Sequence, residues 1–509
     1  MERETEVLRQ LAKGAGTSFL FGLIGYVLVF FYKLLAARYF GAEQLGVYSL
    51  VETIFYITSL FAVIGVSGGI PRYLPLYETE KKYELLTGYL RYIFRIPIIL
   101  SLLLIGILWL SAEDITSFFN FPDELTTFIK LIALALPCNV ISRSIRGIFV
   151  AKKKMVYNGM GYLVVEKVTL CIGIVLIMFL KLSLWWLVFT FLCSMIAGSV
   201  YDVVTYYLKI RLPSVKNAIF HRKEWFLFSV PLFFTSVFSY VINWTDKLVV
   251  GKMLSAGELG MYSVAQSLGG TISFFETAFT TIFIPLIVES YARKENEKIS
   301  LLFKKAGSWI MGLGIAPGLV LIVFSSSVID FLYGEQYVKG YLILIVLASG
   351  FLITNGLGLS SQVLMLHKKT KWIFYINLGT AIMNIILSIV FVAIWGFVGA
   401  AIATAITLMT RNVISLLLAR KYEKLDIDWI FYGKAMLAGG IGVGIVKVSF
   451  NAVEISWFWI ATMGLVYLLI YSVLLVVFKS FKEEDIMIIS AIEKKMKINL
   501  SFIKNVMRS

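Results

Sequence analysis

Apolar runs of about 20 residues recur along the whole chain, broken by short polar stretches. A run of that length crosses the roughly 30 Å hydrocarbon core of a bilayer as a helix. Fourteen segments can be drawn: 16–37, 45–70, 89–111, 125–150, 160–181, 184–208, 226–250, 258–289, 306–333, 339–366, 372–395, 397–420, 434–452 and 456–478. The connections alternate in character. One set is basic and includes Arg72, Lys81 and Lys82, then Lys152 to Lys154, then Lys209 to Lys223, then Lys368, Lys369 and Lys371. The other set is short and neutral or acidic, as in 112–124 with Glu113, Asp114, Asp123 and Glu124. Basic loops stay on the cytoplasmic side. Both termini are therefore expected inside, which agrees with an even number of spans. The first run has no small-residue cleavage site and is expected to be a retained helix.

Composition agrees. Of 509 residues, 59% are hydrophobic and 15% charged, against about 25% charged in soluble domains. The net charge of +16 follows the loop pattern and suits anionic lipid headgroups, so nucleic acid is not an expected partner. Cys138, Cys171 and Cys193 sit inside apolar runs with no CxxC spacing. They are expected to be small buried side chains. The segment 479–509 mixes Ile486, Ile489, Ile492 and Met496 with Lys494, Lys495, Lys497 and Lys504. That pattern predicts a basic amphipathic helix on the cytoplasmic membrane surface.

The chain repeats itself. Lys33–Ser49 aligns without a gap on Lys247–Ser263, with identities at Lys33/Lys247, Leu34/Leu248, Ala42/Ala256, Leu45/Leu259, Gly46/Gly260, Tyr48/Tyr262 and Ser49/Ser263. The same offset pairs Ile70-Pro71 with Ile284-Pro285. The unit is six spans, so both copies enter the membrane in the same direction and form a parallel repeat. The expected architecture is an all-α polytopic membrane protein of 14 transmembrane helices. It comprises a six-helix lobe over 1–210, an inter-lobe cytoplasmic loop over 211–225 and a second six-helix lobe over 226–420. An appended helix pair (421–478) and the tail (479–509) complete it.

The stretch Leu34–Ser49, followed by Gly65-Val-Ser-Gly-Gly-Ile-Pro-Arg-Tyr73, resembles the start of the polysaccharide-biosynthesis flippases, lipid-linked oligosaccharide exporters related to the multidrug and toxin extrusion transporters. The likeness runs over essentially the whole chain. It implies a site between two lobes, alternating access, a lipid-linked oligosaccharide as cargo and no cofactor. Span 16–37 lacks the carboxylate that drug-extruding relatives often carry there, which leaves coupling to H⁺ or Na⁺ open.

Ionisable groups within spans are costly and usually mark a wet site or a partner. Lys33 and Lys247 occupy matched positions near the outer ends of spans one and seven, with Asn243 and Asp246 beside Lys247 and Glu52 in span two. Snorkelling to the headgroups explains the two lysines equally well. Asn139, Arg143 and Arg146 share one face of span four, and cytoplasmic anchoring is an alternative for them. Glu166-Lys167 suggests an internal ion pair. Gln266 and Glu276 lie on a polar stripe of span eight, Asn377 and Asn384 on one of span eleven, and Arg411 in span twelve. Such stripes also serve as interhelical glue. Pro71, Pro97, Pro137, Pro231, Pro285 and Pro317 are expected to bend helices.

No GxxxxGK[ST] or HExxH occurs, so neither an ATPase nor an enzyme is expected. The preferred function is translocation of a polyprenyl-(pyro)phosphate-linked oligosaccharide from the inner to the outer leaflet of the plasma membrane, by a monomer among membrane lipids. The alternative is a cation-coupled multidrug antiporter of the same fold.

Overall fold

The computed structural model describes residues 2–64, 66–213, 215–357, 359–450, 457–480 and 485. All regular structure among them is helical: α1 (Glu2–Val63), α2 (Val66–Thr79), α3 (Tyr83–Phe119), α4 (Glu124–Ala133), α5 (Leu136–Ala151), α6 (Met155–Gly159), a π-helical turn (Met160–Val165), α7 (Glu166–Leu180) and α8 (Leu184–Lys209) make up the first part. Then follow α9 (Arg222–Met253), α10 (Ala256–Gly270), α11 (Ser273–Ala292), α12 (Asn296–Val323), α13 (Ser325–Tyr333), a 3₁₀ turn (Glu335–Gly340), α14 (Tyr341–Asn355), α15 (Ser360–Leu366), α16 (Thr370–Ala419), α17 (Trp429–Phe450) and α18 (Trp457–Val477). Ten helical stretches among the described residues are long and apolar enough to cross a membrane, and Thr462–Val477 is a shorter apolar helix. The protein is a multi-pass membrane protein. Apart from Lys479, Ser480 and Asp485, the basic tail lies outside the described residues.

Two of these stretches are hairpins. Leu20–Thr79 has 60 residues, about 90 Å if straight, or some three times the hydrocarbon thickness. The chain turns back at Gly41, where φ is 78°, a conformation that a Cβ disfavours. The arms meet where Tyr32 Oη donates to Tyr48 Oη at 2.6 Å. Gly396 (φ 59°) does the same in α16, and Asn384 Nδ2 donates to Thr407 Oγ1 of the opposite arm at 3.4 Å. The second apolar segment, expected to end at 70, breaks at Ile64 and continues as α2 to Thr79. Leu110 and Phe179 are 86% and 83% exposed, a burden in water and an ordinary surface in lipid.

The repeated segments meet each other. A Cβ on Gly46 would lie 1.8 Å from the Ala256 carbonyl oxygen, and one on Gly260 would lie 1.9 Å from that of Ala42. Ser49 and Ser263 share a 2.5 Å hydrogen bond between their hydroxyls. Each residue touches the repeat mate of its own neighbour, the reciprocity of a two-fold contact, and the small residues let the backbones approach. Near the Gly41 turn the same halves are tied by Arg38, which donates to the Phe331 and Leu332 carbonyls, and by Tyr337 Oη, which donates to Ala37 O at 2.9 Å.

At the other end, the 211–221 segment is docked rather than free. Ile219 N donates to Glu84 O at 3.1 Å and Val215 N to Thr87 Oγ1 at 3.0 Å. Gly88 makes room for the Ile219 carbonyl, and Trp225 Nε1 donates to Tyr77 Oη at 2.9 Å. The start of α9 is thereby held by α2 and α3.

Candidate functional site

The site grows from α9. Tyr240, Trp244 and Lys247 recur at helical spacing and so share one face, which meets the first half of the chain. Asp246 points elsewhere. It is fully buried and accepts from Tyr262 Oη (2.5 Å), Gln266 Nε2 (2.7 Å) and Thr404 Oγ1 (3.4 Å), while Lys247 N donates to its other oxygen at 2.8 Å. These donors satisfy the carboxylate and join α9 to α10 and α16.

Two contacts on the shared face come from the first half. Arg143 Nη2 of α5 donates to Tyr240 Oη at 2.7 Å. The Trp244 ring lies 5.2 Å from the ring of Tyr56, inclined by 39°. Lys33 Nζ donates to Ser267 Oγ of α10 at 3.3 Å. Lys247 is 4% exposed, with its ammonium 4.7 Å from the Trp244 ring centroid. Among the described residues it has no ion-pair or hydrogen-bond partner for that ammonium, although Lys33, Glu52 and Asp246 all act on it electrostatically. A buried cation outside any direct ion pair is costly.

Lys33, Glu52, Arg143, Asp246, Lys247 and Gln266 are thus brought to one region where the halves meet. The other expected residues fall elsewhere. Asn243 is exposed and its side chain donates back to Ser239 O at 2.6 Å. Asn139 faces Met195 at 3.8 Å inside the first half. Asn384 links the arms of α16, and Asn377 is buried on the same arm. Glu276 of α11 and Arg411 of α16 influence each other electrostatically without forming an ion pair within 4 Å among the described residues. Tyr26 of α1 lies beside them, with its ring 5.0 Å from that of Phe274.

Arg146 shares a helix face with Arg143 but belongs to a different group. It pairs with Glu166 of α7 and, at 2.8 Å, with Asp202 of α8. Glu166 and Lys167, expected to pair with each other, are 3.6 Å apart. The Tyr162 ring lies 5.1 Å from both the Arg146 guanidinium and the Lys167 ammonium. A Cβ on Gly161 would sit 2.2 Å from Asp202 Oδ1. Two glycines, Gly161 and Gly198, let the acids approach so closely. Asp202 and Trp244 escaped the sequence reading. The available signals were an aspartate deep in an apolar run and a tryptophan three residues before a buried lysine.

Among the described residues no three or more His, Cys, Asp or Glu gather as a metal site. An apolar pocket of about 190 Å³ lies away from the charges, bordered by Phe324, Val328, Met463 and Tyr467.

A family model described as polysaccharide biosynthesis protein matches residues 35–342. The chain is 21% identical to the probable low-salt glycan biosynthesis flippase Agl15 of Haloferax volcanii, over 84% of this chain and 89% of that protein. It is 23% identical to stage V sporulation protein B of Bacillus subtilis, over 91% and 95%. In fold it is similar to the lipid II flippase MurJ in an inward closed conformation, with a TM-score of 0.74 at 19% identity, covering 90% of this chain and 98% of that one. An inward-facing multidrug resistance MATE family transporter gives a TM-score of 0.64 at 14% identity, over 80% and 98%. The family match, which covers more than half of the chain, identifies it as a member of the polysaccharide biosynthesis protein family, with a fold shared with the lipid II flippase and with a MATE family transporter.

Proposed function

We propose that the protein carries a polyprenyl-(pyro)phosphate-linked oligosaccharide from the inner to the outer leaflet of the plasma membrane by alternating access. Two six-helix lobes, 1–210 and 226–420, rock about the site between them. The docked 211–225 segment joins the lobes, and 421–478 forms an appended pair. The chain then has fourteen spans, with both termini cytoplasmic, and works as a monomer.

The observation that carries this reading is Lys247, buried outside any direct ion pair among the described residues and within electrostatic reach of Lys33, its mate in the repeat. A diphosphate supplies the missing charge, and Arg143 adds a planar donor. The lipid tail stays in the bilayer while the sugars occupy the polar region. Coupling, where it operates, falls to Glu276 or Asp246, the carboxylates buried in the second lobe.

Glu276 also favours a second reading, a cation-coupled multidrug antiporter, because an intramembrane carboxylate suits a cationic drug and a coupling ion. Substitution separates the two. In a strain that depends on this protein, Arg143→Ala and Lys247→Ala lower surface glycan at equal protein level if the cargo is a lipid diphosphate. If Glu276→Gln abolishes activity and both basic substitutions are silent, the antiporter reading replaces it.

A further inference from the structure

We propose that Tyr56 and Trp244 form a two-sided platform for the first sugar of the cargo, next to the cations that hold its phosphate. The proposal rests on the flippase reading and assigns the sugar end of the same site.

The two rings come from opposite halves, Tyr56 from the second arm of α1 and Trp244 from α9. They are neither parallel nor perpendicular. At 5.2 Å and 39° they form a wedge that touches along one side and opens along the other. Tyr56 is braced from behind by Phe191, edge-on at 6.1 Å, and by Phe55 at 5.4 Å. Trp244 is held on its face by the Lys247 ammonium. The rings are therefore positioned by their own halves, and the contact between them is the part that lobe movement alters.

Their polar tips support a ligand. Partly or fully buried Trp and Tyr usually find a hydrogen-bond partner. Trp225 Nε1 donates to Tyr77, and Trp309 Nε1 donates to Asp485 Oδ1 at 2.9 Å. Among the described residues neither the Trp244 indole N–H nor the Tyr56 hydroxyl has such a partner, although both residues are half-buried.

The chemistry selects a pyranose. One face of such a ring presents C–H groups, slightly positive, to the negative face of an aromatic ring. Its rim carries hydroxyls, for which Glu52, one turn from Tyr56, is an acceptor. A sugar bonded directly to a diphosphate places its anion beside this face, where Lys247 and Lys33 stand. Apolar faces with a few convergent polar groups are the usual make-up of a small-molecule site. A pyranose entering the wedge separates rings that belong to different lobes, so sugar binding and lobe opening favour each other.

The test compares two probes on the purified full-length protein in nanodiscs: a short-chain prenyl diphosphate, and the same lipid carrying one N-acetylhexosamine. The expected result is that the wild type binds the sugar-bearing probe about tenfold more tightly, equivalent to about 1.4 kcal/mol and within the scale of an aromatic contact. Trp244→Leu and Tyr56→Leu, which fill space but offer no ring face, bring that ratio close to one, with binding of the sugar-free diphosphate still measurable in both. Trp244→Phe keeps part of the preference. Retained diphosphate binding certifies that each variant is folded. A ratio unchanged in both leucine variants, or an equal loss for both probes, overturns the platform and leaves the flippase reading standing. Binding of neither probe above a prenyl alcohol control overturns both.

Discussion

Gly46 and Gly260 each receive the other's helix where a side chain would stand, with the Ala256 and Ala42 carbonyls 1.8 and 1.9 Å from the sites of the absent Cβ atoms. Their spacing in sequence is that of Ser49 and Ser263, 214 residues apart and hydrogen-bonded at 2.5 Å. The repeat thus lies across its own two-fold contact, close to the Gly41 turn. Backbone-to-backbone contact is short-ranged, and under the proposed alternating access it is the seal that parts for the site to open on that side.

The double substitution Ser49→Cys/Ser263→Cys places two thiols where the hydroxyls touch. Oxidation is expected to cross-link them and stop transport, and reductant is expected to restore it. Gel mobility after cleavage of the chain between the two cysteines reports the bond. A cross-linked protein with full activity would show that this contact never opens.

Gly260→Ala forces carbon into occupied space. Overpacking of this kind costs about 1–3 kcal/mol, and here the strain falls on the closed seal alone. The expected outcome is a lower unfolding temperature together with faster alkylation of a cysteine at Ser49 from the Gly41 side.

Arg146 and Arg143 separate stability from transport. Arg146→Ala leaves Glu166 and Asp202 buried without their cation, and breaking a buried ion pair costs about 3–5 kcal/mol. Protein level and thermal stability are expected to fall. Arg143→Ala removes one hydrogen bond from a half-buried group and is expected to lower transport at near-normal stability. Thermal unfolding of both variants, beside surface glycan measured at matched protein level, checks the contrast.

Reporters fused at Asn120 and Glu335 are expected to read external, and at Lys153 and Lys369 cytoplasmic. An inverted pattern would reverse the direction assigned to transport.

The membrane class and the recurring apolar spans were legible in the sequence, because hydropathy is a local property that the bilayer reads directly. So was the repeat, since Lys33–Ser49 and Lys247–Ser263 keep polar residues in register. The two-fold contact follows from it only in hindsight. Sequence pairs residues by alignment, and nothing in the alignment says that the aligned residues touch.

Partnership among the charges was decided by the tertiary structure. Arg143 and Arg146 stand one turn apart on the same face of α5, yet one reaches Tyr240 on α9 and the other closes on Glu166 and Asp202 within its own half of the chain. Helical spacing sets direction to within a few tens of degrees. It says nothing of which helix lies opposite, nor that glycines at 161 and 198 let two carboxylates come within reach. The same holds for Tyr56 and Trp244, 188 positions apart in the chain, and for Lys247, whose burial outside any direct ion pair among the described residues is a property of everything packed around it. Electrostatic pairing falls off over a few ångströms, and distances on that scale between remote segments exist only once the helices are packed.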